Sequence, residues 1–109
     1  MDLTLKSLQH HGNDNNTFLI KVGISFAWDD DMINDSILVT YSKTKHDAQV
    51  TVRAQYRGIS IVAARIIEVI ADIDFKTYGN PPMVIIEKLA ENLHMSYNEE
   101  EIERFFNSQ

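Results

Sequence analysis

Residues 17–28 read Thr17-Phe18-Leu19-Ile20-Lys21-Val22-Gly23-Ile24-Ser25-Phe26-Ala27-Trp28. Phe18, Ile20, Val22, Ile24, Phe26 and Trp28 stand at every second position, with Lys21, Gly23 and Ser25 between them. A pleated strand turns successive side chains to opposite faces, so this alternation predicts a strand with one apolar face. Two later segments repeat it. Ile37, Val39 and Tyr41 alternate with Thr40 and Ser42; Ala48, Val50, Val52, Ala54 and Tyr56 alternate with Gln49, Thr51, Arg53, Gln55 and Arg57. Leu3 and Leu5 predict a shorter first strand that fades into the turn-forming run His10-His11-Gly12-Asn13-Asp14-Asn15-Asn16. Asp29 through Asp35 reads as the second connection, and Lys43 to Asp47 as a hairpin loop. Short connections of this kind imply an antiparallel meander of about four strands.

Downstream the period changes. Ile59, Val62, Ile66, Val69 and Ile73 follow helical spacing, with Ser60, Ala64, Glu68 and Asp72 on the other side. The same stretch is rich in β-branched residues, so Gly58 as a bulge carrying the strand on to Val62 is the competing reading. Asn80-Pro81-Pro82 opens a second helix with the stripe Ile86, Leu89, Leu93. Ser96 and Glu99 have capping-box spacing before a short third helix carrying Ile102, Phe105 and Phe106. The predicted fold class is α+β: an antiparallel β-meander followed by two or three C-terminal helices packed on one face. At 109 residues the chain has the length of a single domain, with a β-rich half (1–57) and a helical half (58–109).

Composition removes several chemistries. With no cysteine there is no disulfide framework, thiol nucleophile or thiolate zinc site. Ten Lys and Arg against 16 Asp and Glu give a formal charge of −6, which argues against general nucleic-acid binding. No basic start with an apolar core resembles a leader, and no run is long enough to span a membrane, so the expectation is a cytoplasmic protein without membrane contact.

Each candidate site has a plainer alternative. Asp29, Asp30, Asp31 and Asp35 carry oxygens suited to a hard cation, but Ile33 stands where a third ligand belongs, and a solvated turn is the better reading. Met32 and Ile33 inside that loop either tuck beneath the sheet or project as a contact point. The histidines at 10, 11, 46 and 94 lack metal-ligand spacing, and His94, late in a helix, suits the C-terminal carbonyls. Glycines 12, 23, 58 and 79 are too scattered to cradle a phosphate, and no nucleophile elbow is present. The expectation is therefore a non-enzymatic protein without metal or cofactor.

The sharpest functional expectation concerns the polar side of the sheet. Lys21, Thr40, Ser42, Gln49, Thr51, Arg53, Gln55 and Arg57 would share it with Leu19, Ala27 and Leu38, giving a face with basic but no acidic groups. Such a face suits an acidic or extended protein partner. The predicted partner-binding residues are Lys21, Arg53, Arg57, Met32 and Ile33, in a protein-interaction module such as an adaptor, inhibitor, immunity-type factor or small chaperone. Strand length adds to this. Twelve residues from Thr17 to Trp28 would reach roughly 40 Å if straight, long for a chain of this size. Either Gly23 marks a bend or one end projects to another chain, and a homo-oligomer, most simply a dimer, is favoured. The alternative is a small-molecule-binding protein or enzyme with a pocket near Trp28, Tyr41 and Tyr56, reached by Glu68 or a histidine. A third is nucleic-acid mimicry by Glu87, Glu91, Glu99, Glu100, Glu101 and Glu103.

The order long strand, acidic loop, strand hairpin, then a strand ending Gln55-Tyr56-Arg57-Gly58-Ile59-Ser60-Ile61 is similar in pattern to SecB-type export chaperones over residues 17–62. The likeness carries no shared motif, and the second half departs from it. What it implies is a holdase using apolar sheet surface.

Overall fold

The computed structural model describes residues 2–11, 14–45, 47–52, 57–76 and 81–107. Strands β1 (Asp2–His11), β2 (Asp14–Trp28), β3 (Asp31–Ser42) and β4 (Asp47–Val52) precede helices α1 (Arg57–Ala71), α2 (Pro81–Leu93) and α3 (Glu99–Asn107). The strands form one sheet in the order β1-β2-β3-β4, every neighbour antiparallel. This is the α+β meander that the alternation predicts.

The apolar parity of β2 becomes the core. Phe18, Ile20, Val22, Ile24 and Phe26 are buried, and so are Ile37, Val39 and Tyr41 opposite them. Helix α1 supplies Ile59, Val62, Ala63, Ile66 and Ile70, α2 supplies Ile85, Ile86 and Leu89, and α3 supplies Ile102. Burial of that stripe outweighs the weak helix propensity of its β-branched residues, since removing each side chain from water is worth about 1.5–3 kcal/mol against tenths for propensity. The helix begins at Arg57, and the strand continuation to Val62 does not occur.

Several connections are tighter than the composition suggests. The predicted loop from Asp29 to Asp35 is a two-residue turn, Asp29-Asp30, closed by the pair Trp28 and Asp31. Asp29 takes φ 54°, a left-handed conformation that aspartate tolerates and that two-residue hairpins require. Met32 and Ile33 are therefore strand residues, not loop residues. The run from His10 to Asn16 is likewise mostly strand, with β1 ending at His11 and β2 starting at Asp14.

Strand β2 has 15 residues, about 50 Å if straight, against a longest molecular extent of 43 Å. It bends within the molecule. Its pairing with β1 is irregular at two places, neither of them at Gly23: the register moves from Leu5↔Val22 to Ser7↔Lys21, leaving Lys6 as an extra residue of β1, and again from His10↔Phe18 to His11↔Asp14, where the extra residues belong to β2. A bulge of this kind sharpens the local twist and curls both strands over the helices.

The C-terminal elements close the β1 edge. Helix α2 ends at Leu93, and His94 follows at φ 56°, the left-handed residue that terminates a helix, so it lies beyond the last turn rather than within it. The chain then runs beside β1: Leu5 N–H donates to the Ser96 carbonyl at 2.8 Å, and Ser96 N–H donates to the Leu3 carbonyl at 3.0 Å. Ser96 is therefore not the cap of α3. Asn98 holds that place, its Oδ1 accepting the Glu100 N–H at 2.9 Å.

Candidate functional site

The helices all pack on one face of the sheet, and the register defines what the other face shows. Lys21 stands opposite Leu38, Leu19 opposite Thr40, Gly23 opposite Ser36, Ser25 opposite Asn34, and Ala27 opposite Met32. Thr51, Gln49 and Asp47 continue the same face on β4, opposite Leu38, Thr40 and Ser42. Lys21 is exposed and sits between the partly exposed Leu19 and Leu38. Together with Ser36 and Thr51, Lys21 and Leu38 line a shallow recess of about 230 Å³.

Lys6 joins this face. As the extra residue of the β1 bulge, it lays its side chain over Gly23, where the absence of a Cβ leaves room for its Cγ, Cδ and Cε. Lys6 and Lys21 thus both stand on the outer face of the sheet. Sequence reading passes over Lys6 as an interruption of the first apolar run. The usable signal is parity: Leu3 and Leu5 are two apart, but Leu5 and the next inward residue, Leu8, are three apart, so one residue between them is extra.

The acid-free face needs correction. The strands are longer than predicted, and Asp2 (opposite Ser25) and Asp47 (opposite Ser42) both lie on it. They occupy diagonally opposite corners, so the face is basic at its centre and acidic at two margins. Met32 is 63% exposed, the most exposed large apolar residue described. Ile33, its neighbour, faces the other way, opposite Phe26 and against the core, so the two residues do not act together. Arg57 is the first residue of α1 and not a strand residue as predicted. Arg53 lies outside the described residues, as do Ala54, Gln55 and Tyr56.

Of the three residues of the pocket alternative, Tyr41 is packed in the core, while Tyr56 and the Trp28 side chain lie outside what is described. Tyr41 is 1% exposed, its ring 4.9 Å from that of Phe75 and 6.5 Å from that of Phe18. Burial, and secondarily the charge of Asp47, hold the Tyr41 hydroxyl above its ordinary pKa. No polar or charged residue is buried among the described residues, and no three His, Asp or Glu side chains among them converge as a metal site would require. Glu68 is exposed and lines an open cleft of about 430 Å³ between α1 and α2, with Arg65, Asp72, Lys88 and Glu91. The Lys88–Glu91 pair there, 3.7 Å apart, is an exposed ion pair of little energetic weight. Glu87, Glu91, Glu99, Glu100, Glu101 and Glu103 are all exposed, and the three opening α3 complement its N-terminal dipole.

Among the described residues His10 is the histidine that packs against core rings. Its ring stacks 4.7 Å from Phe18 and 5.3 Å from Phe105, pinning α3 to the end of the sheet. Its Nδ1 is shut from water without a hydrogen-bond partner among the described residues. Such an orphaned polar atom is a standing cost of about 1–3 kcal/mol. The ring behaves as a packing group, with Lys43 Nζ 4.8 Å over the neighbouring Phe18 ring.

No family model, curated protein or solved structure matches this chain. No helix among the described residues is long and apolar enough to cross a membrane.

Proposed function

We propose that this protein is a non-enzymatic interaction module that binds an acidic or extended segment of a protein partner across the outer face of its sheet. The observation that carries the reading is the presence of both Lys6 and Lys21 on that face, with Leu19 and Leu38 beside Lys21 and the exposed Met32 and Ala27 farther along it. Apolar contact area beside two cations suits a chain segment that alternates acidic and apolar side chains. Asp2 and Asp47 at the corners add selectivity, because a partner carrying carboxylates at those margins meets like charge. The small serine, glycine and threonine side chains between the lysines let an extended backbone approach closely.

Crosslinking and capture from the source cell test this reading, comparing the wild-type chain with the Lys6→Glu/Lys21→Glu variant. A protein held by the wild type and released by the double variant, with unfolding midpoints unchanged, supports it. Retention of every captured protein by the folded double variant overturns it.

A further inference from the structure

The chain has no cysteine, so its four methionines carry all of its sulfur. A peroxide finds no thiol to attack first. Three of the methionines lie among the described residues, and their settings differ. Met95 is 4% exposed and belongs to the core, next to Ser96, whose backbone closes the β1 edge. Met83, in the first turn of α2, is partly buried against the core. Met32 is 63% exposed and stands on the outer face of the sheet. The other two large apolar side chains that are exposed among the described residues, Ile61 and Ile67, offer an oxidant no sulfur.

The register of β2 and β3 explains this exposure. Met32 pairs with Ala27, and the next pair on the same face is Ser25 with Asn34. Its neighbours across and along the ladder are therefore small or polar, and Ala27 and Asn34 are themselves exposed. The chain turns one pair further on, at Asp29-Asp30, so Met32 and Ala27 are the last pair on that face.

We propose that Met32 is a reversible oxidation site that switches this end of the outer face between an apolar and a polar state. The oxidant is hydrogen peroxide. Attack by the thioether sulfur forms the S–O bond and breaks the O–O bond. Sulfur gives up two electrons, and the departing hydroxide takes the proton of the transferred oxygen and leaves as water. A dithiol reverses the step: the oxygen departs as water, sulfur regains two electrons, and the dithiol becomes a disulfide. The sulfoxide is polar, so the apolar contact that Met32 offers is lost. The modification stands on the placement of Met32; its effect on binding rests on the outer-face proposal.

The fold tolerates this change. Met32 lies outside the core, and its backbone pairing with Ala27 is untouched by an oxygen on its sulfur. Oxidation of Met95 instead sets a polar group among apolar ones and loosens the closure of the β1 edge. The same oxidant therefore acts in two phases, the first on a surface and the second on the fold.

Peptide mapping of the full chain during peroxide treatment is the first measurement. Rates in proportion to exposure put Met32 roughly 15-fold ahead of Met95, from 63% against 4%. The thermal unfolding midpoint holds through the Met32 phase and falls with oxidation of Met95. Methionine sulfoxide reductase with dithiothreitol restores the mass at Met32 in the folded chain. Met32→Leu loses the first phase and keeps the second. Capture from the source cell then compares wild type oxidised beforehand with Met32→Leu treated in the same way. A protein released by the first and held by the second, with affinity lowered roughly 10-fold or more as loss of one apolar contact implies, supports the switch. Met32 reacting no faster than Met95, or a midpoint that falls during the Met32 phase, overturns the site. Proteins released by Lys6→Glu/Lys21→Glu but held equally by oxidised and untreated chains overturn the switch and leave the outer-face reading standing. Proteins held by every form overturn both.

Discussion

Lys6 lies across Gly23: a side chain begun at position 23 would meet the Cε, Cδ and Cγ atoms of Lys6, the last at 2.9 Å. The bulge and the glycine are thus one device. The extra residue in β1 throws Lys6 onto the outer face, and the missing Cβ in β2 gives its stem a bed to lie on. Lysine stems cover apolar backbone while keeping the ammonium in water, so the arrangement places a cation without burying it.

Gly23→Val therefore has two opposed effects. A β-branched residue favours the strand and removes the conformational freedom of glycine from the unfolded chain. It also displaces the Lys6 stem along its length, from Cγ to Cε. The expected net cost is about 1 kcal/mol in the wild type, turning to a gain of several tenths when Lys6 is alanine. Urea unfolding of the two single variants and the double variant measures the coupling. Additive effects would show that the two residues do not share the space.

The start of α3 separates two readings of the same short stretch. By spacing, Ser96 and Glu99 resemble a capping box, yet the Ser96 backbone is engaged with β1 and Asn98 makes the capping bond. Asn98→Ala is expected to cost about 1 kcal/mol, with the loss felt at the α3 contacts of Ile102. Ser96→Ala keeps both backbone bonds to β1 and is expected to change stability by less than about 0.5 kcal/mol. Thermal unfolding of the two variants side by side is the measurement. A larger loss at position 96 than at position 98 would restore the spacing-based cap.

The alternation from Phe18 to Trp28 announced the sheet because burial on one face imposes a period of two that nothing else in the chain imitates. The stripe from Ile59 to Ile70 announced a helix for the same reason, although its β-branched residues pull the local preference the other way. What could not be read was wherever two residues act through the register. The turn at Asp29 is short because aspartate accepts a left-handed backbone, a fact about one φ angle rather than composition. Its shortness then moved Met32 outward and Ile33 inward and brought Asp31 and Asp35 into a strand, while the pairing of Asp47 with Ser42 put that acid on the same face as Lys21. Lys6 was hidden because a bulge changes parity without changing residue type. Arg57 was misplaced because a strand and the helix that follows it share one side-chain pattern at their junction.

Tyr41 makes the alkaline limb of stability a test of core packing. Its hydroxyl is raised above the ordinary value of 10.0 first by burial and second by Asp47, both of which disfavour the phenolate. Between the unfolded pKa and the raised folded one, the native state binds more protons than the unfolded state. The stabilisation is fully present below about pH 10 and is lost as pH rises through the folded value. Tyr41→Phe keeps the ring against Phe75 and Phe18 and removes the titration. The free energy of unfolding of the wild type should therefore fall more steeply above pH 10 than that of Tyr41→Phe, with the two curves parallel at neutral pH. Asp47→Asn should lessen the difference in part, because it removes the secondary cause and leaves burial in place. Identical alkaline slopes in wild type and Tyr41→Phe would mean that the Tyr41 hydroxyl reaches water, and that the sheet and the segment after α1 are less closely joined at Phe75 than the ring contacts indicate.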